Sequence, residues 1–397
     1  MIVKGRPVAD TLYGTNVADT IYGYGGDDSL WGYAGDDYLD GGDGNDRMYG
    51  GDGNDFFKAG SGDDYAEGGA GNDSFDGGLG NDHFVGGLGN DTFDGEDGDD
   101  ILDGGDGHDI MLGGAGNDTF YGGAGEEYID GGAGNDIIYA GDGNDGFINR
   151  INPATGKLTT QAVGGGAGDD YIYGEGGNDA LKGQSGNDHV YGGIGDDRVD
   201  GGDGDNYMDG GDGNDILDSE NGRDEAHGGA GVDRISVGAG DDLVYGDGGN
   251  DSISGEDGND VLNGGDGDDL FYGGFGNDTI RGDAGRDTLI GESGSDTLWG
   301  GADADRFVFK GAGAIDGGKD TIMDFQDGLD RIVLEKLGIT RYANTGAAGT
   351  VYAYDDASGD VILKAQDSAG HAFQIVVDDP NGTLSAANFS AADFTFA

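Results

Sequence analysis

The 397-residue chain has no cysteine, three prolines, two tryptophans and only 19 lysines and arginines. Without cysteine, neither a disulfide framework nor a thiolate metal site can form. With 81 acidic residues and a formal net charge of −62, the chain lacks the basic patch that phosphate recognition needs, which excludes nucleic acid as a partner. A neutral or anionic membrane surface fares no better. No window approaches the roughly 20 apolar residues of a transmembrane helix. The N-terminus, MIVKGRPVADTLYG, has no apolar stretch of the kind a cleavable signal peptide carries.

Glycine is abundant, at 94 residues. Backbone this free loses more entropy than most on ordering, and a charge this large repels itself in a compact state. The metal-free chain is therefore expected to be disordered. Against that expectation stands a strict period. From Gly5 the chain divides into nonapeptides through Ile148, sixteen in all, and another sixteen run from Gly165 through Val308. The pattern is G-G-x-G-x-D-x-U-x, with U a large apolar residue. Over the 32 repeats, position six is Asp in 30, the exceptions being Glu127 and Asn206. Position eight is large and apolar in 30, the exceptions being Ala66 and Ala226. Position four is Gly in 29 and fails at Val8, Val17 and Asp303, all near the ends, where capping repeats are atypical.

Glycines at positions one, two and four suit a tight turn with positive φ. Asn or Asp at position five, as in Asn45, Asn54 and Asp63, tolerates the left-handed region. In x-U-x, the two-residue strand period places U on one face. Leu12, Ile21, Leu30, Leu39, Met48 and Phe57 should therefore line the interior.

Residues 5–308 resemble the RTX, or haemolysin-type, calcium-binding nonapeptide repeats. Such repeats occur in serralysin-type protease C-terminal regions, in RTX toxins and lipases, and in mannuronan C-5 epimerase R-modules. The resemblance implies an all-β fold, a right-handed parallel β-roll in which two nonapeptides make one turn. The six residues through Asp would form a loop and the last three a strand, with calcium between stacked loops.

The donor chemistry agrees. Calcium takes six to eight hard oxygen ligands at about 2.3–2.6 Å. Carboxylates at position six with glycine-exposed carbonyls form an all-oxygen set, whereas five His and no Cys offer little to zinc or copper. The candidate metal residues are Asp10, Asp19, Asp28, Asp37, Asp46, Asp55, Asp64, Asp73, Asp82, Asp91, Asp100, Asp109, Asp118, Asp136 and Asp145 in the first array. In the second they are Asp170, Asp179, Asp188, Asp197, Asp215, Asp224, Asp233, Asp242, Asp251, Asp260, Asp269, Asp278, Asp287, Asp296 and Asp305. Interloop geometry, carried over from the family, allows at most about 28 sites, and that many divalent ions would bring −62 to about −6. A merely solvated acidic surface would not hold a nine-residue phase. Folding is thus expected to be coupled to calcium binding.

The expected organisation is a β-roll over 5–148, an insert over 149–164, a second stretch of β-roll over 165–308, and a C-terminal β cap over 309–397. The insert has extended runs flanking P-A-T-G-K, a hairpin pattern that either interrupts one roll or separates two. The tail resembles the family's post-repeat segment at Asp320, Ile322, Asp324, Phe325, Gly328, Asp330 and Ile332, and carries strand-like runs at 351–355, 361–364 and 373–378. Its end, SAADFTFA, with Asp393 before a short apolar terminus, resembles an uncleaved type I secretion signal or is an ordinary final strand.

Position nine points outward. Odd-numbered repeats place nine aromatics there, among them Tyr13, Trp31 and Tyr49, against Tyr22 and Tyr272 in even-numbered ones. Strand propensity alone would enrich Tyr and Trp on both faces equally. The bias marks an aromatic stripe and a candidate polysaccharide surface.

No catalytic motif emerges. His83, His108, His189, His227 and His371 are never paired at i, i+4, and the first three read as exposed variants within repeats. GQSGN and GESGS are repeat loops, not nucleophile elbows. The chain therefore reads as a non-enzymatic, secreted, bacterial calcium-binding protein with a structural, adhesive or matrix role. The alternatives are a polysaccharide-binding accessory region of a secreted enzyme and, with no amphipathic segment behind it, a membrane-active protein.

Overall fold

The computed structural model describes residues 1–146, 148–151, 158–310, 318–337, 339–343, 349–366, 372–378 and 384–396. The P-A-T-G-K turn and His371 lie outside them. The chain forms two compact units, Met1–Asp209 and Gly210–Ala397. The division falls between two nonapeptides of the second array, 201–209 and 210–218, rather than at the insert.

In the first unit, successive strands alternate between two parallel sheets, and each pairs with the strand 18 residues on. Thr20–Gly25 pairs with Tyr38–Asp43, Ile21 opposite Leu39, while Ser29–Ala34 pairs with Arg47–Asp52, Leu30 opposite Met48. This is a parallel β-solenoid. The strands are longer than expected: most span six residues, from position seven of one repeat through position three of the next. The glycine-rich opening of each repeat is therefore strand, kinked at position two by a positive φ such as +106° at Gly42. Nine repeats hold that conformation with a non-glycine residue, including Tyr24, Tyr33 and Glu96.

Position eight forms the core. Ile21, Leu30, Leu39, Met48 and Phe57 are fully buried, and Leu12, on a terminal turn, is only half-buried. Phe57, Phe75 and Phe93 stack along one sheet with ring centroids 4.6 and 4.7 Å apart.

Pairing passes over the insert. Tyr128–Ala133 joins Val163–Ala167, and Ile137–Gly143 joins Tyr171–Gly176, so that Tyr139 faces Tyr173. Between them Ile148–Ile151 and Leu158–Gln161 pair antiparallel as a separate two-stranded ribbon.

The second unit repeats the architecture, with Leu243–Gly248 on Val261–Asp266 and Leu270–Phe275 on Thr288–Ser293. The parallel coil outlasts the nonapeptides. Lys319–Ile322 pairs with Thr297–Trp299, and Arg331–Glu335 with Arg306–Lys310. Only then does the chain turn to an antiparallel meander of Thr350–Asp355, Val361–Gln366 and Ala372–Val377. The terminal strand Phe394–Phe396 lies on Arg331–Glu335, preceded by a short 3-10 turn in which Ser390 and Asp393 cap each other. Among the described residues there is no α-helix, and no helix long and apolar enough to cross a membrane.

Candidate metal centre

Position six follows the loop and precedes the core-facing strand, so its side chain turns into the space between successive turns. From Asp28 to Asp118 every one of these carboxylates is buried. Each uses Oδ1 to accept the backbone N–H of the Asp one turn earlier: Asp28 donates to Asp46 at 2.7 Å, Asp46 to Asp64 at 2.6 Å, Asp100 to Asp118 at 2.8 Å. The ladder crosses the insert unchanged, Asp136 donating to Asp170 and Asp145 to Asp179. In the second unit it runs through Asp233, Asp251, Asp269, Asp287 and Asp305.

The other oxygen is different. In each of the eleven from Asp28 to Asp118, and again at Asp136, Asp145, Asp170, Asp179 and Asp188, Oδ2 is buried with no hydrogen-bond partner. Asp233, Asp251, Asp260, Asp269, Asp278, Asp287 and Asp305 repeat this in the second unit. An ionised oxygen left buried and unpaired is costly. Burial accordingly pushes the Asp46, Asp64 and Asp82 carboxyls up to about 7 and Asp118 to about 6.

The surroundings of Oδ2 are oxygen too. A Cβ on Gly41 would lie against Asp46 Oδ2 and 2.9 Å from the carbonyl oxygen of Ala59, one turn on. Gly50 stands likewise between Asp55 Oδ2 and the Gly68 carbonyl, 2.8 Å from such a Cβ. Position one is accordingly nearly always glycine, with Ala59, Ala140, Ser219 and Val237 the exceptions. Among the described residues no three Asp, Glu or His side chains gather at one point. Each gap thus offers few carboxylates and several carbonyls, a donor set that suits a hard cation of high coordination number. The residues fit calcium.

A family model for the RTX calcium-binding nonapeptide repeat matches residues 13–147 and 165–309, breaking where the insert lies. The chain belongs to this family. It is a calcium-binding repeat protein. Solved structures similar to it include two solution structures of subunits of an Azotobacter vinelandii mannuronan C5-epimerase. The AlgE6R3 subunit is 25% identical, with a TM-score of 0.21, covering 42% of this chain and 80% of its own. The AlgE6R2 subunit is 27% identical, with a TM-score of 0.24, covering 43% and 93%. Among curated proteins no relative matches the chain.

Not every position-six residue in this RTX chain stands alike. Asp10 and Asp19 belong to the ladder but their second oxygens are taken: Asp10 Oδ2 accepts the Arg6 N–H at 2.6 Å, and Asp19 Oδ2 accepts the Thr15 N–H and hydroxyl at 2.5 and 2.8 Å. Contact with the Arg6 guanidinium holds Asp10 below the ordinary carboxylate range. Glu127, one methylene longer, is buried against Asp145, and burial with that like-charged neighbour pushes it up to about 9. Two rungs escaped the nonapeptide count. Asp320 Oδ1 accepts the Asp296 N–H, and Asp330 Oδ1 the Asp305 N–H, so the D-x-I of the tail is the position-six-to-eight triplet after a longer loop. The spacing to the next apolar residue was the signal that could have found them.

Within the first unit, position-nine aromatics of odd repeats do share a sheet, but their faces are largely spoken for. Tyr121, Tyr139, Tyr173 and Tyr191 stack on one another at 5.4, 5.1 and 4.9 Å, presenting ring edges. Trp31 and Tyr49 stack at 4.0 Å and, with Tyr33, Gly50, Gly51 and Glu67, line a groove of about 370 Å³. His83 and His108 are exposed as expected; His189 is half-buried between Tyr171 and Tyr207.

Proposed function

We propose that this protein is secreted, remains unfolded at cytosolic calcium, and folds outside the cell on binding many calcium ions, serving there as a non-catalytic structural or adhesive component. The observation that carries the reading is the file of buried carboxylate oxygens without partners, exemplified by Asp46, Asp64 and Asp82. Such a file is untenable without cations, and extracellular calcium modules bind at about 10⁻⁴–10⁻³ M. The position-six aspartates supply the anionic ligands, and loop carbonyls the rest. Export through a type I channel, with the C-terminal segment around Asp393 as its address, fits a chain that stays extended until it meets calcium.

A second reading, a polysaccharide-binding accessory region, is favoured by the groove at Trp31, Tyr33 and Tyr49. There the Tyr49 column is followed one turn on by Glu67 rather than by another ring. Sugars stack on ring faces, so this is the place for a glycan rather than the tyrosine run from Tyr121 to Tyr191.

The test is a far-UV circular dichroism titration with calcium, joined to co-sedimentation with a polysaccharide panel that includes alginate, in calcium and in chelator. Sheet signal that needs calcium supports the reading; a chain equally folded in chelator at neutral pH defeats it. Calcium-dependent binding to one glycan, lost in Tyr13→Ser/Trp31→Ser/Tyr49→Ser, would place the accessory role first.

A further inference from the structure

Within the ladder, rungs fall into two states according to what the second polar atom of position six does. In the open state, as at Asp28, Asp118 and Asp188, Oδ2 is buried and unpartnered. In the closed state the protein itself satisfies that atom. At Asp10 and Asp19 the backbone N–H of position two, from Arg6 and Thr15, swings onto Oδ2. At Asp330 the Gln326 N–H, also four residues earlier, does the same at 2.7 Å.

Asn206 reaches the closed state by another route. Its Oδ1 accepts the Asp188 N–H at 3.0 Å, as Asp188 and Asp197 accept theirs from Asp170 and Asp179, and its Nδ2 donates to the carbonyl of Gly202 at 3.3 Å. Only this orientation of the amide satisfies both contacts, and the side chain is buried, 3% exposed. Where an aspartate would turn a lone pair into the gap, Asn206 turns N–H hydrogens. Its one ligand-capable oxygen is already committed to a backbone donor, and a carbonyl of its own loop is occupied by its own amide. A cation there would face a donor and gain no negative charge.

We propose that calcium is held only at open rungs, and that Asn206 is a built-in metal-free rung in which an amide takes the place of an ion. Asp10 and Asp19, at one end of the ladder, are likewise metal-free. The roll therefore carries fewer ions than its repeat count allows. This rests on the calcium reading above and goes further, assigning which position-six residues are ligands.

Native mass spectrometry of the calcium-loaded full chain resolves single ions. Asn206→Asp should gain at least one ion relative to the wild type, Asp118→Asn should lose at least one, and Asp10→Asn should lose none. Melting in calcium should rise for Asn206→Asp and fall for Asp118→Asn, with little change for Asp10→Asn. An Asn206→Asp chain that folds but binds no extra ion, or an Asp10→Asn chain that loses as many ions as Asp118→Asn, overturns the assignment. A wild-type chain that binds no calcium would instead defeat the calcium reading itself.

Discussion

Asp118 and Asp330 are equally buried, each 1% exposed, yet they are stabilised in opposite ways. Both give Oδ1 to a backbone N–H of the ladder, at 2.8 and 3.0 Å. At Asp330 the chain also supplies Gln326 N–H to the second oxygen; at Asp118 it supplies nothing. The contrast extends to the elements around them. The nonapeptide strands bury one large side chain per repeat, whereas the tail buries consecutive runs such as Ile332, Val333 and Leu334, or Val361, Ile362 and Leu363. A segment with its own donors and a dense apolar core satisfies itself. A glycine-rich segment with one core residue in nine leaves the second oxygen of its carboxylate buried without a partner.

The largest effect that comparison predicts is calcium removal. In chelator at neutral pH, far-UV circular dichroism should lose most of its sheet signal, and hydrogen exchange should show repeat peptides such as 92–125 unprotected. Protection lost first from the tail strands, with the repeats still protected, would break the comparison.

Next comes the slender core. Phe75→Ala removes the middle ring of the Phe57–Phe75–Phe93 stack and should destabilise the calcium-loaded chain by about 3–5 kcal/mol in a melting or denaturant series. A loss under about 1 kcal/mol would mean that ions, rather than packing, hold that stretch.

Acid should act with opposite sign on the two forms. The folded-state values of Asp46, Asp64 and Asp82 stand at about 7, above the ordinary 3.8. For a carboxyl raised on folding, the associated stability is fully present below the ordinary value and is lost as pH rises through the folded one. In chelator, lowering the pH from 8 toward 4 should therefore restore sheet signal. In calcium, protons compete for the same oxygens, so apparent affinity should weaken as pH falls below about 7. Circular dichroism and calcium titration across that range check both signs; sheet signal in chelator that falls with acid would contradict the first.

The smallest effect belongs to the closed end. Arg6→Ala removes the guanidinium from Asp10 but leaves the backbone N–H on Oδ2. It should leave the bound-calcium count unchanged and shift the melting point little, which native mass spectrometry and a thermal scan would show.

Much of this was readable from the chain alone. The nine-residue phase announced a solenoid and the residues from Ile21 to Phe57 its core, because periodicity in sequence becomes periodicity in space when every turn meets an identical one; the Asp at position six stood out as the expected ligand. Strand length was misread, since glycine suggested loop where stacking backbones close enough to pair require the absence of side chains. Asp320 and Asp330 were read as part of the tail motif and not as rungs, because their loops are longer than nine residues and hydrogen-bond register ignores loop length.

Composition and period by themselves determined the repeat, its file of apolar residues and its all-oxygen donor set, and with them the expectation of a bound cation, since so much glycine and acid leaves little else to stabilise a fold. Which carboxylates remain open was decided only in three dimensions. Asp10, Asp19 and Asp28 have the same place in the motif, and what separates them is whether a backbone N–H four residues earlier points at the second oxygen. The sequence marks the Asp10 and Asp19 repeats only by Val8 and Val17 at position four; that the N–H of Arg6 and of Thr15 reaches the second oxygen is visible only in the folded backbone.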